Sequence, residues 1–204
     1  MGFGGIVVLA IFLFVAVTIF KGVRIVPQGY KWIVQRLGKY HTTLTPGLNF
    51  VIPYVDDVAY KVTTKDIVLD IPSQEVISKD NAVLLMNAVA YINITTPEKA
   101  VYGIENYTWA IQNLVQTSLR SIVGEMDLDD ALSSRDHIKA KLKAAISDDI
   151  ADWGITLKTV EIQDIQPSPT MQSAMEAQAA AERQRRATVT KADGEKQAAI
   201  LEAD

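Results

Sequence analysis

The sequence predicts an α+β body set between a transmembrane helix and a long coiled-coil helix. Three features carry that reading. The chain opens on an uncharged apolar run, strand-like alternation over residues 27–95 gives way to helical spacing, and an alanine-rich stretch follows in which no proline occurs after Pro169. The expected divisions are an anchor over residues 1–24, a first subdomain over 25–95, a second over 96–167 and a helical arm over 168–204.

From Gly2 to Phe20 every side chain is apolar apart from Thr18, and Lys21 is the first ionisable one. At ~1.5 Å per residue the run reaches roughly 29 Å, close to the hydrocarbon thickness of a bilayer. The expected membrane-spanning side chains are Ile6, Val7, Val8, Leu9, Ile11 and Phe12, followed by Leu13, Phe14, Val15, Val17, Ile19 and Phe20. A cleaved signal peptide opens on a basic residue and ends in an A-x-A site, neither of which is present here. Gly4 and Gly5, the only turn candidates, stand at the very start, which favours a single span over a re-entrant hairpin.

The 204 residues carry 20 basic and 24 acidic side chains, a formal net charge of −4, unevenly spread. Lys21, Arg24, Lys31, Arg36 and Lys39 follow the run with no acid before Asp56, so the body carries the negative excess. By the positive-inside rule the body is expected in the cytoplasm and the N-terminus outside. Lys21, Arg24 and Lys31 are candidate membrane-surface residues, each adding on the order of 1 kcal/mol against an anionic leaflet. Ordinary solvated strand charges are the competing reading. The net charge argues against a nucleic-acid binder. The absence of cysteine excludes disulfides, thiolate metal sites and thiol nucleophiles.

Tyr30 to Leu37 alternates Tyr30, Trp32 and Val34 with Lys31, Ile33 and Gln35, then breaks at Gly38. Between Pro46 and Val55 the chain is apolar and bounded by prolines. Leu48, Phe50 and Ile52 either dip into the leaflet or form a buried core strand. Val58, Tyr60 and Val62 alternate again, as do Ile67, Leu69 and Ile71, with Pro72 confining that strand to an edge or an end. Two further strands, Val76 to Ser78 and Val83 to Ile94, flank a turn at Lys79-Asp80-Asn81-Ala82, whose Asp-Asn pair tolerates positive φ. A small, mainly antiparallel sheet follows from these segments.

Thr96 and Pro97 read as the cap and first residue of a helix. Ile111, Leu114, Val115, Leu119, Ile122 and Met126 hold 3–4 spacing with Gly124 placed as a stop. Ile138, Leu142, Ile146, Ile150 and Trp153 do the same before Gly154. Ile155 to Ile165 is strand-like, with a parity change between Leu157 and Val160 that predicts a bulge. Ser168 and Pro169 start the last helix. Its alanine-glutamate and alanine-aspartate pairs recur every eleven residues, as do Gln178, Val189 and Ile200, a period that keeps a narrow stripe in line along a nearly straight helix. Met175, Gln178, Val189, Ile200 and Leu201 are the candidate self-association residues, because the stripe is otherwise wet. The chain stops inside this repeat, so more helix is expected after Asp204.

No catalytic constellation emerges. His41 and His137 stand outside any ligand spacing. Asp127, Asp129 and Asp130 suit a helix start better than a calcium loop. Ser78 and Lys79 are adjacent and point apart, unlike a Ser–Lys dyad. No cofactor and no metal is expected.

Several blocks together resemble one family. Val26-Pro27-Gln28-Gly29-Tyr30, Val34-Gln35-Arg36-Leu37-Gly38-Lys39-Tyr40 and Leu44-Thr45-Pro46-Gly47-Leu48 are similar to the opening of the SPFH, or band 7, domain of stomatins, prohibitins, flotillins and HflK/C proteins. Asp70-Ile71-Pro72-Ser73-Gln74-Glu75-Val76-Ile77-Ser78-Lys79-Asp80-Asn81 resembles the bacterial stomatin-like paraslipin (QmcA) type, and Trp153-Gly154-Ile155 and Ala192-Asp193-Gly194-Glu195-Lys196-Gln197 look like the same group. The resemblance implies two SPFH subdomains and many copies joined as a ring or cage on a membrane, in bacteria the inner one. It implies a scaffold that organises microdomains and modulates membrane proteases, with the bilayer, an NfeD-type membrane protein or an FtsH-like membrane protease as partners. A membrane-tethered hydrolase without a motif is the alternative.

Overall fold

Three antiparallel sheets, each of two or three strands, take up the alternation of the first half. The structure is a computed structural model that describes the backbone of residues 3–203 and the side chains of residues 8–196. Helix α1 (Phe3–Gly22) leads directly into β1 (Val23–Val26), which pairs with β4 (Gly47–Phe50). Strand β2 (Tyr30–Arg36) lies between β3 (Lys39–Leu44) and β5 (Asp56–Thr63). The largest sheet has β7 (Val83–Ile94) at its centre, flanked by β6 (Ile67–Ile77) and β8 (Ile155–Pro167). The other helices are α2 (Pro97–Tyr102), α3 (Tyr107–Gly124), α4 (Leu128–Ser133), α5 (Arg135–Asp152) and α6 (Pro169–Ala203).

Helix α3 packs on β6 and α5 on β8, so the helical spacing meets the sheet alternation in one core. Ile111, Val115 and Leu119 of α3 and Ile138, Leu142, Ile146 and Ile150 of α5 are fully buried against Leu84, Met86 and Ile92 of β7. Two observations refine the alternation of β2. Ile33, expected opposite the Val34 face, is as completely buried as Val34. Ile33 enters the large core while Val34 joins a smaller one with Val26 and Leu44, so this strand is covered on both faces. Thr96, the expected subdomain boundary, stands between β7 and α2, and β8 pairs with β7 across it.

The expected bulge is present. Leu157 faces Ile92 and Thr159 faces Tyr91, leaving Lys158 without a partner. Two strand segments read separately are one: β6 continues through Pro72, with a register shift between Ile71 and Gln74. Proline is accommodated because β6 is an edge strand and needs no N–H there.

Helix starts show where local reading falls short. Thr96 makes no side-chain cap, although Pro97 does open the helix; the Thr96 carbonyl accepts from Lys99 and Ala100 N–H. Asn106 caps α3 instead, accepting from Trp109 N–H at 3.0 Å. Asp127 precedes α4 but makes no side-chain cap, and the carboxylate that does so comes from Asp80 in the β6–β7 turn, accepting from Leu128 N–H at 3.2 Å. Ser78, the buried polar residue among those described, donates to Asp80, accepts from Ala82 N–H, and is sealed in the turn, which suits no nucleophile. Asn81 has φ +65° as the turn requires, and Lys79 N–H donates to the Met126 carbonyl at 2.9 Å.

A second anchor point is the pair Arg36–Asp56. Arg36 donates twice to Asp56, at 2.7 and 3.0 Å, and Ile52 N–H donates to the same carboxylate at 2.9 Å. The Asp56 side chain is only 4% exposed. Hydrogen bonding from Arg36, and then from Ile52 N–H, brings its pKa down to about 2 against the pull of burial.

Two predictions follow from this packing. Gly154 has φ +69°, and a Cβ there would stand 2.5 Å from the Thr96 carbonyl oxygen, while the Gly154 carbonyl accepts from the N–H groups of Thr95 and Thr96. Gly154→Ala is expected to destabilise by about 2 kcal/mol or more, read from the denaturant midpoint. Because the folded pKa of Asp56 is depressed, its stabilisation is complete above the unfolded value of about 3.9 and disappears as pH falls through about 2. Thermal midpoints measured from pH 5 to pH 2 should therefore fall more in the wild type than in Asp56→Asn.

Candidate functional site

The β1–β4 ribbon leaves one face unpartnered. In its register Ile25 faces Leu48 and Val23 faces Phe50, which puts these four side chains on one face and Arg24 and Asn49 on the other. Val26, at the end of the ribbon, turns into the small core. On the outer face Ile25 is 70% exposed, Leu48 62% and Phe50 70%. Ile52 and Tyr54 extend the exposed surface along the β4–β5 loop. Of the two readings of residues 46–55, the buried core strand is therefore not the one adopted; β4 is too short and too peripheral to be covered by a helix.

The ribbon is fixed to the end of α1. Val51 N–H donates to the Gly22 carbonyl at 2.8 Å, and a Cβ on Gly22 would approach the Val51 carbonyl oxygen to 2.8 Å. Only glycine permits this closeness at the junction of helix and ribbon. Phe14 of α1 stacks on Tyr54 with ring centres 6.5 Å apart, and Lys21 Nζ lies 5.8 Å from the centre of the same ring. The β2–β3 hairpin meets this end too, where Leu37 N–H reaches the Val55 carbonyl at 3.4 Å.

The expected site residues fall into four places. From Val8 to Phe20 the spanning residues stand on α1, and the large apolar ones are exposed. The side chains of Ile6 and Val7 lie outside the described residues. Among the described residues no helix is long and apolar enough to cross a membrane, so the expected single span is not shown by the structure. Lys21 and Arg24 flank the ribbon, whereas Lys31 lines a separate recess with Thr43, Thr45 and Thr96. Leu48, Phe50 and Ile52 form the exposed face already described.

The fourth place is α6, 35 residues or about 52 Å long. Met175 is half-buried. With Met171 it packs against the chain's own core at the root of the helix. Past Met175 every described side chain except Glu182 is exposed, Gln178 and Val189 included. Ile200 and Leu201 lie outside the described residues. Glu182 binds Arg185 and Arg186 on the same helix, so the arm's charges are largely satisfied along its own surface.

Ile25, Tyr54 and Asp56 escape the sequence reading. Ile25 follows the anchor too closely to show an alternation of its own. Asp56 did leave a signal, as the first acidic residue after 55 positions without one. Ser78 and Asp80 are occupied with the turn and α4, and the described groups of His, Asp and Glu form no metal-binding cluster.

Comparison with known proteins agrees with this architecture. The SPFH domain / Band 7 family pattern matches residues 24–196. An uncharacterized protein of Methanocaldococcus jannaschii is 40% identical over 189 residues, 93% of this chain and 92% of that protein. An uncharacterized protein of Mycobacterium tuberculosis is 36% identical over 191 residues, again 93% of this chain. Human stomatin-like protein 2, mitochondrial, is 38% identical over 178 residues, 87% of this chain. This chain spans about half the length of the mycobacterial and human relatives. With three antiparallel sheets, a helical layer and a trailing arm matched across residues 24–196, the chain belongs to the SPFH domain / Band 7 family.

Proposed function

We propose that this protein is a non-enzymatic, membrane-anchored scaffold whose copies assemble side by side, organise the surrounding membrane and modulate membrane proteases or other membrane proteins. The observation that carries the reading is the exposed apolar face of Ile25, Leu48 and Phe50, tied at Gly22 to the end of an apolar helix. Inserted into hydrocarbon, three such side chains contribute on the order of 5 kcal/mol, more than the few surface cations beside them. In this reading α1, with the uncharged run from Gly2, spans the bilayer once, the N-terminus is outside and the body is cytoplasmic. The ribbon then sits in the inner leaflet beside the span.

The arm supplies lateral assembly. A helix of this length with Val189 and Gln178 exposed, and with small alanines between them, gains by packing against copies of itself as a coiled coil. Weak contacts repeated around a closed ring or cage add up without any one being strong. An NfeD-type membrane protein or an FtsH-like membrane protease is the kind of partner such an enclosure would hold. Family membership supports the scaffold reading over a hydrolase, whose nucleophile has no candidate in Ser78.

Two measurements test it. Phe50→Trp in the full chain, reconstituted with lipids brominated on their acyl chains, is expected to show added fluorescence quenching, whereas Tyr102→Trp, on the far side of the β2 sheet, is not. Equal quenching at both positions would reject leaflet insertion of the ribbon. In mild detergent the full chain is expected to form an assembly of many copies, and Val189→Glu to reduce that copy number. A monodisperse monomer at all concentrations would refute the scaffold.

A further inference from the structure

Beside the apolar face, and distinct from it, is a recess of about 550 Å³ between the end of α1, β1 and the β4–β5 loop. We propose that it is a binding site for a phosphate ester, supplied in the membrane by the headgroup of an anionic phospholipid. This rests on the membrane-docked reading above and adds to it a defined, stoichiometric ligand.

The chemistry of the lining points to an anion. Phe20, Lys21, Arg24, Val51, Tyr54 and Asp56 contribute to the wall. Among the described residues neither Lys21 nor Arg24 has an acidic partner, although seven other basic residues of the body and arm do. Asp56 is the one acid in the wall, and its two oxygens are engaged by Arg36 and by Ile52 N–H. The Arg36 charge balances it, leaving the two free cations to set the sign of the recess. A planar guanidinium matches the oxygens of a phosphate in pairs, and an ammonium adds a compact charge that tolerates a range of headgroup positions.

The backbone adds an independent argument. Val55 N–H bonds the Ile52 carbonyl at 3.3 Å, with Pro53 and Tyr54 as the central residues. Tyr54 has φ +77°, at the position of a proline-led turn where glycine is the unstrained choice. An aromatic residue there carries strain of order 1 kcal/mol. Its ring is exposed, stacks on Phe14 and stands under Lys21 Nζ. Strain kept for an exposed ring at the mouth of a cationic recess indicates that the ring is needed for what binds there. The depth agrees as well: Phe20 belongs to the apolar run and Lys21 is its first charge, so the recess opens at the level where hydrocarbon meets headgroups.

The test uses the full chain in nanodiscs of phosphatidylcholine with a minor fraction of phosphatidylglycerol, with retained lipids counted by native mass spectrometry. One phosphatidylglycerol per chain is expected, with Arg24→Gln and Lys21→Gln each lowering its enrichment about fivefold. Lys39→Gln, which removes a charge of the same basic stretch outside the recess, should leave it unchanged. Tyr54→Gly should lower the enrichment while keeping or raising the thermal midpoint, a pair of effects that misfolding does not produce. An equal loss with Lys39→Gln, or no enrichment in the wild type, overturns the site. Displacement by soluble glycerol phosphate retains the recess as a phosphate site and overturns the lipid as its source. Flotation on pure phosphatidylcholine vesicles separates the two readings. Flotation without enrichment sinks the headgroup site alone, and failure to float sinks both.

Discussion

A single carboxylate, Asp56, holds the end of the molecule around α1 and the β1–β4 ribbon in shape. It is nearly buried, accepts both arms of the Arg36 guanidinium and the Ile52 N–H, and so ties the loop after β4 to the central strand of the middle sheet. Without that tie, the turn at Pro53 and Tyr54 would have little to keep it in a strained conformation, because its side chains are exposed and make few core contacts. A buried ion pair need not add much net stability, since desolvation offsets the attraction. Its value here is in fixing one arrangement: the same carboxylate holds the loop through Ile52 N–H and the central strand through Arg36.

The distal part of the body is organised differently. There the β6–β7 turn reaches across to the helices, with Asp80 capping α4 and Lys79 bonding the carbonyl of Met126. Gln74 on β6 binds the Gln116 carbonyl and accepts from Arg120, while Gln112 donates to the Asp70 carbonyl. The segment Asp70 to Asn81, which carries the most distinctive resemblance to stomatin-like proteins, is thus the seam between sheet edge and helical layer. Its polar residues act by satisfying backbone groups at a helix start and along an edge strand, groups that are costly to bury unpaired.

The two ends of the chain are similar in what they leave undone. Helix α1 and the ribbon expose large apolar side chains, and α6 projects with almost no tertiary contact beyond Met175. Between them lies a body whose core is closed and whose buried side-chain polar atoms among the described residues are all hydrogen-bonded. That division fits a protein with a rigid centre and two surfaces reserved for other contacts.

Periodicity alone determined most of the architecture. The apolar run, the strands around Tyr30–Arg36, Asp56–Thr63, Ile67–Ile77 and Val83–Ile94, the two core helices with their buried faces, the bulge near Lys158 and the long final helix are all local patterns, whereas β1 and β3 carry no such alternation. What tertiary structure decided are the pairings over long separations. Ile33 is core because a second layer covers its face, Met175 is half-buried because the root of α6 packs against the core, and Asp80 rather than Asp127 caps α4 because a turn 48 residues away lies against it. The same holds for the candidate site. The sequence marked Leu48, Phe50 and Ile52 as apolar but left open whether they are inside or outside, since a strand's exposure depends on what packs against it and not on its own alternation. Ile25 across the ribbon, the glycine contact at Gly22 and the Asp56 tie settled that they face outward, each through a neighbour that no local pattern contains.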